Sequence, residues 1–260
     1  MKLAVLASGS RANCSFVEFG AKRFLIDCGL TAKQIELRLD LLGIPASSLE
    51  AIIISHEHRD HTIGASVLSR RYEIPVYANQ GTADFLENVY GVEYFETGKP
   101  FSLGSVSIRP FRIVHDAVDP VGFVVQADGI KLTHVTDLGK VTPLVEDAMH
   151  NAHAIVLESN YDKEMLQTCE YPWELKQRIA SSHGHLGNTE AASILERVYH
   201  SELCHVVLAH LSENSNSEEL ALQASRTKLA PLGFQNVRCG NPRQPTELLT
   251  VDETPFSIAI

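Results

Sequence analysis

Ala51-Ile52-Ile53-Ile54-Ser55-His56-Glu57-His58-Arg59-Asp60-His61 is the stretch whose reading decides this chain. The apolar, mostly β-branched run 51–54 has the composition of a buried strand, and it stops where three imidazoles and two carboxylates begin. A strand that ends in a tight loop of His and Asp fixes several metal ligands at once. Imidazoles two residues apart can turn toward one ion, and a carboxylate followed directly by a histidine can turn toward a neighbouring one. Neutral His and ionised Asp are borderline-to-hard ligands that suit zinc, manganese or iron rather than a thiolate site. Chance clustering of surface histidines would explain the composition of 56–61, but not its place at a strand end.

The rest of the chain is compatible with a globular enzyme. Its 260 residues are 44% hydrophobic and 21% charged, ordinary values for a globular protein. No low-complexity linker or solenoid-period repeat divides it, so one domain over 1–260 is expected, with 241–260 as a C-terminal strand and tail. Nothing reads as a membrane span. The opening Met1-Lys2-Leu3-Ala4-Val5-Leu6 is too short for a signal sequence and reads as a first strand, which points to the cytoplasm. Cys14, Cys28, Cys169, Cys204 and Cys239 are scattered and odd in number, a poor disulfide framework and a poor thiolate site. A net charge of −10 argues against bulk binding of nucleic acid through a basic face. It does not exclude chemistry on a phosphodiester, because two bound divalent cations would add about +4 where it matters most.

Outward from the opening stretch, strands are expected at 3–7, 14–19 and 23–27, with a polar loop Ser8-Gly9-Ser10-Arg11-Ala12-Asn13 between the first two. Thr31 caps a helix over 32–42. Helix 62–72, strand 74–77, helix 80–89 and an extended 92–96 follow. Strands at 105–114, 120–127 and 130–135 are separated by turn signals that include Asp128-Gly129. Helices are expected at 141–149, 188–199 and 216–230, and strands at 154–158, 205–209 and 235–239. Strands and helices mixed in both halves suggest two sheets packed face to face with helices outside.

Three later positions repeat the opening pattern: His115 after the strand 105–113, Asp137 after 130–134, and His210 closing 205–209. Asp116 stands beside His115 as a competing ligand. His-x-His-x-Asp-His, a lone His, a lone Asp and a late His, in that order, resemble the ligand series of the metallo-β-lactamase superfamily. The resemblance implies an α/β, four-layer αββα sandwich of two mixed sheets holding two divalent metals, zinc first and manganese or iron otherwise. His56, His58 and His115 would bind one metal and Asp60, His61 and His210 the other, with Asp137 bridging. His134, His150, His153, His200 and His205 are expected to be structural or solvent-facing.

Glu158-Ser159-Asn160-Tyr161, then His183-Gly184-His185-Leu186-Gly187-Asn188, then His210-Leu211-Ser212 resemble the phosphodiesterase branch of that superfamily. There the Glu and a His form an acid/base pair near the leaving oxygen, which would be Glu158 and His185. The further segments Ser8-Gly9-Ser10, Asn13-Cys14, Asp27-Cys28-Gly29-Leu30, His115-Asp116-Ala117 and Thr136-Asp137-Leu138-Gly139 are similar to the YycJ/WalJ-type group, with matches over 8–216. That resemblance implies 5′-to-3′ exonuclease activity on DNA, rather than RNA, and a link to DNA repair. Departures are Arg11-Ala12 where a Gly is usual before the Asn, Gly187 where Ser is usual, and the loosened Asn214-Ser215-Asn216-Ser217. None of these is a metal-ligand position.

The implied chemistry is metal-assisted phosphodiester hydrolysis. Asp60 would orient or deprotonate the nucleophile while serving the second metal, and His185, oriented by Glu158, would protonate the departing sugar oxygen. Ser8, Ser10 and Asn13 would meet a terminal phosphate, with Arg11 adding charge. Two other readings compete. One is a hydrolase of the same fold acting on a small cyclic phosphate, thioester or lactone, which the acidic charge suits. The other is a non-catalytic metal-binding module with a protein partner.

Overall fold

A computed structural model describes residues 1–251. The C-terminal end of the expected tail, 252–260, lies outside the described residues. Among the described residues the chain forms two seven-stranded mixed sheets flanked by helices, the four-layer sandwich expected from the sequence.

The first sheet runs β14 (Leu249–Thr250), β1 (Lys2–Ala7), β2 (Cys14–Phe19), β3 (Lys22–Ile26), β4 (Ala51–Ile53), β5 (Val76–Ala78), β6 (Val92–Tyr94). The second runs β13 (Val237–Cys239), β12 (His205–Ala209), β11 (Ala154–Glu158), β10 (Ile130–Val135), β9 (Val121–Ala127), β8 (Val106–Arg112), β7 (Phe101–Leu103). Each sheet begins as an antiparallel meander and continues parallel, at β3–β4–β5–β6 and at β10–β11–β12–β13. The parallel strands of a sheet therefore release their C-terminal ends along one edge, where loops can converge.

Strand alternation builds three apolar layers. Ala51 and Ile53 of β4 face the second sheet together with Val5, Phe24 and Ile26, against Phe123, Leu132 and Val156. Ile52 and Ile54 point the other way, against Ile35 and Leu39 of α1 (Ala32–Leu41) and Leu68 of α3 (Ala65–Tyr72). The outer face of the second sheet packs Ile155, Leu157, Val206 and Leu208 against α5 (Pro143–Met149), α8 (Asn188–Val198) and α9 (Glu218–Leu229). The period of two thus assigns each strand residue to an inner or an outer layer.

Several expectations change in detail. The helix expected at 62–72 is α3, and a separate turn α2 (Arg59–Thr62) precedes it, so Asp60 and His61 lie in a helical turn rather than a loop. The break sits at Gly64, whose N–H donates to Cys28 O (2.9 Å) and whose Cβ, if present, would fall 2.1 Å from Leu30 O. The helix expected at 80–89 is the single turn α4 (Gln80–Ala83), and Asn88 follows with φ 53°. The strand expected at 105–114 is β8, and an unanticipated β7 before it makes a hairpin turning at Gly104 with φ 62°. Two short helices were not anticipated, α6 (Lys163–Thr168) and α7 (Trp173–Ile179). Asp162 caps the first by accepting from the N–H groups of Glu164 and Met165.

His134 is structural. It lies buried on β10, and its Nε2 is 3.0 Å from Ser15 Oγ of β2, a polar bridge between the two sheets. Burial pushes its imidazole down to about 4, below the ~6.5 of an unfolded chain. Between those values the unfolded chain binds a proton that the native protein excludes, so stability falls as pH drops through that window. The variant His134→Gln keeps a polar partner for Ser15 and removes this proton. In denaturant titrations at matched metal content, the wild type should lose about 1.4 kcal/mol per pH unit more than the variant between pH ~6.5 and ~4.5. Equal slopes would contradict the bridge as drawn.

Candidate metal centre

Loops and strand ends from both sheets meet at one edge. His56 follows β4, Asp137 follows β10, Glu158 ends β11, His210 follows β12, and His115 stands three residues beyond β8. Donor atoms lie within 4.8 Å of one another in His56, His58 and His115, in Asp60, His61 and His210, and in His56, His61 and Asp137. The first two are the sets that the resemblance implied, and the third shows Asp137 adjoining both. Its Oδ2 is 2.9 Å from His61 Nε2, and its Oδ1 is 3.5 Å from His210 Nε2 and 3.6 Å from His115 Nε2. The neighbouring Asp116 is exposed and pairs with Arg178 (2.7 Å), which removes it as a competitor of His115.

The histidines are held from behind. Asp27, at the end of β3, accepts from Ser55 N (2.8 Å), Ser55 Oγ (3.0 Å) and His61 Nδ1 (2.8 Å). With its own proton given to Asp27, Ser55 Oγ accepts from His56 Nδ1 at 2.9 Å. Gly184 O takes His115 Nδ1 (3.2 Å), and Glu158 Oε1 takes His210 Nδ1 (2.9 Å). A carboxylate or carbonyl can only accept, so each of these Nδ1 atoms carries a proton, and each Nε2 is left facing the shared space, where a metal would take its lone pair. Among the described residues His56 Nε2, His210 Nε2 and Asp137 Oδ2 are buried without a hydrogen-bond partner. The 2.9 Å approach of His61 to Asp137 lacks hydrogen-bond alignment. Buried, unpaired ligand-type atoms facing one another are what a bound divalent cation would satisfy, so the residues fit the group.

Charge in the cluster is balanced by protons. Burial lowers His56 well below the usual imidazole range. Burial would also lower His210, but the charges of Asp137 and of the nearby Asp60 carboxylate, and the hydrogen bond to Glu158, lift it to about 10. In His61 burial is likewise outweighed, by Asp27 and Asp137, and the imidazole is raised well above normal. For Asp137, burial opposes ionisation, yet the His210 and His61 charges hold the carboxyl well below its usual range. With no cation bound, the surrounding carboxylates thus favour a second proton, at Nε2, on His61 and His210, and binding a metal would displace those protons.

Backbone geometry serves the same end. Asp27, Asp137 and His210 all adopt φ near +60°, at 61°, 57° and 56°. This sparsely populated region for residues with a Cβ turns each side chain back from its strand into the cluster. Gly29 and Gly139 let segments touch: a Cβ on Gly29 would fall 1.6 Å from Asp60 O, and one on Gly139 2.3 Å from Ser182 O. The latter contact brings the 182–184 loop, and with it the Gly184 carbonyl behind His115, against the end of β10.

His185 and Glu158 meet as expected. Glu158 is fully buried, and its Oε1 accepts from His185 Nδ1 (2.8 Å) as well as from His210. Its Oε2 accepts from the N–H groups of Leu138 (2.6 Å) and Leu186 (3.0 Å). The His185 ring is 5.0 Å from that of His210 and 5.4 Å from that of His115, and it keeps 22% exposure. Its ligand atom clusters with those of Asp137, Glu158 and His210, but it belongs neither to the His56, His58 and His115 set nor to the Asp60, His61 and His210 set. His183 is exposed on the same loop.

The polar loop after β1 is used differently from the expectation. Ser8 is buried, and its Oγ accepts from His210 N at 2.5 Å. Asn13 is buried too. Its Nδ2 donates to Gly9 O (3.2 Å) and Asp60 Oδ2 (3.1 Å), and its Oδ1 accepts from Gly9 N (3.2 Å). Both side chains brace metal-centre residues instead of standing free for a substrate phosphate. Ser10 is exposed, and Arg11 pairs with Glu213 at 3.1 Å. Asp27, Ser55 and Asn160, whose Nδ2 donates to His210 O (2.7 Å), are the supporting residues that sequence reasoning did not assign. A sequence signal for Asp27 was present only as its place in a family motif.

Asp27→Asn should retain the fold while weakening the hold on His61 and, through Ser55, on His56. Loss of such an orienting partner typically costs about 10- to 100-fold in metal affinity. Competition with a chelating dye measures it, and unchanged affinity would show that Asp27 does not organise the centre.

The comparisons agree with this geometry. A family model described as the β-lactamase superfamily domain matches residues 22–210. The exodeoxyribonuclease YycJ of Bacillus anthracis is 34% identical over 259 residues, spanning 95% of this chain and 98% of that protein. The exodeoxyribonuclease WalJ of Streptococcus pneumoniae strain D39 is 35% identical over 237 residues, 88% of each chain. The crystal structure of the metallo-β-lactamase fold protein YhfI from Bacillus subtilis superposes with a TM-score of 0.72 at 17% identity, over 95% of this chain and 100% of that one, a likeness of fold. With a family match over most of its length and relatives above 30% identity almost end to end, the chain belongs to the metallo-β-lactamase superfamily, in the group that YycJ and WalJ represent.

Proposed function

We propose that this protein is a two-metal phosphodiesterase, a 5′-to-3′ DNA exonuclease of the cytoplasm acting in DNA repair, with 1–260 working as one domain. The chain is a metal-dependent hydrolase; the substrate is the step proposed. The observation that carries it is the Glu158–His185 pair beside the ligand cluster: one buried carboxylate oxygen takes Nδ1 of both His210 and His185. A lactone or thioester hydrolase has less need of a positioned acid, because its leaving group departs more readily than a sugar alkoxide. The two relatives named as exodeoxyribonucleases, each at least 34% identical over 88% or more of this chain, support DNA as the polymer. Among the described residues no helix is long and apolar enough to cross a membrane.

In this reading His56, His58 and His115 hold one divalent ion and Asp60, His61 and His210 a second, with Asp137 serving both; zinc suits the set, and manganese or iron are compatible. Bound there, the ions supply Lewis acidity toward the phosphoryl oxygens and a water acidified toward neutrality. The protein does the rest. Asp60 keeps 25% side-chain exposure and is fixed by Asn13, so one carboxylate edge can orient the attacking water and take its proton. As the new P–O bond forms, the bond to the leaving sugar oxygen breaks. His185, its Nδ1 proton fixed by Glu158, gives the proton on Nε2 to that oxygen. Ser10 and the exposed edge of the loop after β1 remain to meet a terminal phosphate.

A time course on 5′- and 3′-labelled DNA, single- and double-stranded, with zinc or manganese supplied, should release nucleotides from the 5′ end first. Hydrolysis of a lactone but of no DNA end would overturn the reading. His185→Ala should lower turnover on DNA about 100-fold or more with metal content unchanged, and much less on bis-p-nitrophenyl phosphate, whose leaving group needs no proton. Equal loss on both substrates would remove its acid role.

A further inference from the structure

Beside the metal centre, α6, α7 and the start of α8 enclose a cavity of about 590 Å³ that the proposed chemistry does not use. Its wall includes Ala180 and Gly187, which bracket the loop carrying His185, and Tyr161, three residues beyond Glu158. Tyr161 and Gly187 pair as an isolated bridge, and Asn160 N donates to Leu186 O (2.8 Å), so the cavity wall and the acid loop are stitched together. Gly187 is part of the fit: a Cβ there would lie 3.1 Å from the Tyr161 ring and 2.6 Å from Glu190 Oε2.

The wall also carries Trp173, the chain's sole tryptophan, left 66% exposed at the start of α7. A large exposed indole at the mouth of a mostly apolar cavity suits a flat aromatic ligand, and every nucleobase has such a face. The charges are sorted to match. Glu190 lines the wall; its carboxylate would repel a phosphate inside but would accept hydrogen bonds from base N–H groups. Lys163 stands exposed at the rim, where a backbone phosphate would pass. Lys176 donates to Gln167 O (2.7 Å) and Cys169 O (2.6 Å), which fixes its charge in the wall.

We infer that this cavity receives a nucleobase of the DNA strand on the leaving-group side of the cut, stacked on Trp173, with the adjoining phosphate against Lys163. The inference rests on the phosphodiesterase reading above for its polymer, but not for its geometry. It gives the enzyme a grip on single-stranded DNA that is indifferent to sequence, because stacking is indifferent to base identity.

Trp173 is its own reporter. Titrating the metal-loaded full-length protein with a short phosphorothioate oligodeoxythymidylate, read by anisotropy of a label on the oligonucleotide, should quench Trp173 fluorescence in step with binding. On cleavable DNA, Trp173→Ala should raise KM about 5- to 100-fold with kcat changed far less, and Trp173→Phe should restore most of the loss. Binding by anisotropy without quenching, or an unchanged KM in Trp173→Ala, would overturn the assignment. A tryptophan signal that follows protein concentration and ignores DNA would make the patch a contact between copies, and would overturn it equally. If the oligonucleotide does not bind at all, the DNA reading fails by itself, and thymidine monophosphate then decides the cavity. Saturable quenching by thymidine monophosphate that ribose 5-phosphate does not produce sustains a base site, and no quenching removes it.

Discussion

Everything at the sheet edge depends on one constraint: a buried imidazole can offer a lone pair inward only if its other nitrogen is tied outward to an acceptor. Asp27 with Ser55, the Gly184 carbonyl and Glu158 meet that requirement for His61, His56, His115 and His210. Without them the rings would rotate or change tautomer, and the donor set would disperse. Glu158 meets it twice over, because the same oxygen that sets His210 also sets His185. The candidate ligand His210 and the proposed acid His185 are thereby tied to one carboxylate.

The fold supplies the positions and accepts strain to do so. Parallel strands from both sheets end at a common edge, and Asp27, Asp137 and His210 leave those ends in the left-handed region, where most side chains are disfavoured. Such conformations cost of order 1–3 kcal/mol each and persist only where the surroundings over-determine them. Here the surroundings are backbone clamps: His210 N to Ser8 Oγ, Asn160 Nδ2 to His210 O, and Leu138 N to Glu158. The apolar layers on either side make the platform stiff enough to hold them.

Much of this architecture is legible in the amino-acid sequence alone. The run 51–61 announces a strand that ends in ligands because His56, His58, Asp60 and His61 are nearly contiguous, and contiguity is the signal a sequence carries best. The sandwich follows from strands in both halves and from the resemblance. What escapes is long-range. Asp27 is 34 residues from His61, and nothing local marks an aspartate as a brace for an imidazole. Ser8 and Asn13 read as free loop polars, yet a buried His210 amide and the Asp60 carboxylate need partners, and these two supply them. The helices α6 and α7 are too short for an apolar period to show; the Asp162 cap is the sequence's sole hint of the first.

The central claim is that the edge holds two ions in distinct ligand sets. Anomalous diffraction from crystals of the protein grown with zinc tests it most directly. The account predicts two peaks per chain, one among the side chains of His56, His58 and His115 and one among Asp60, His61 and His210, with Asp137 reaching both. A single peak, or zinc bound away from these residues, would contradict it.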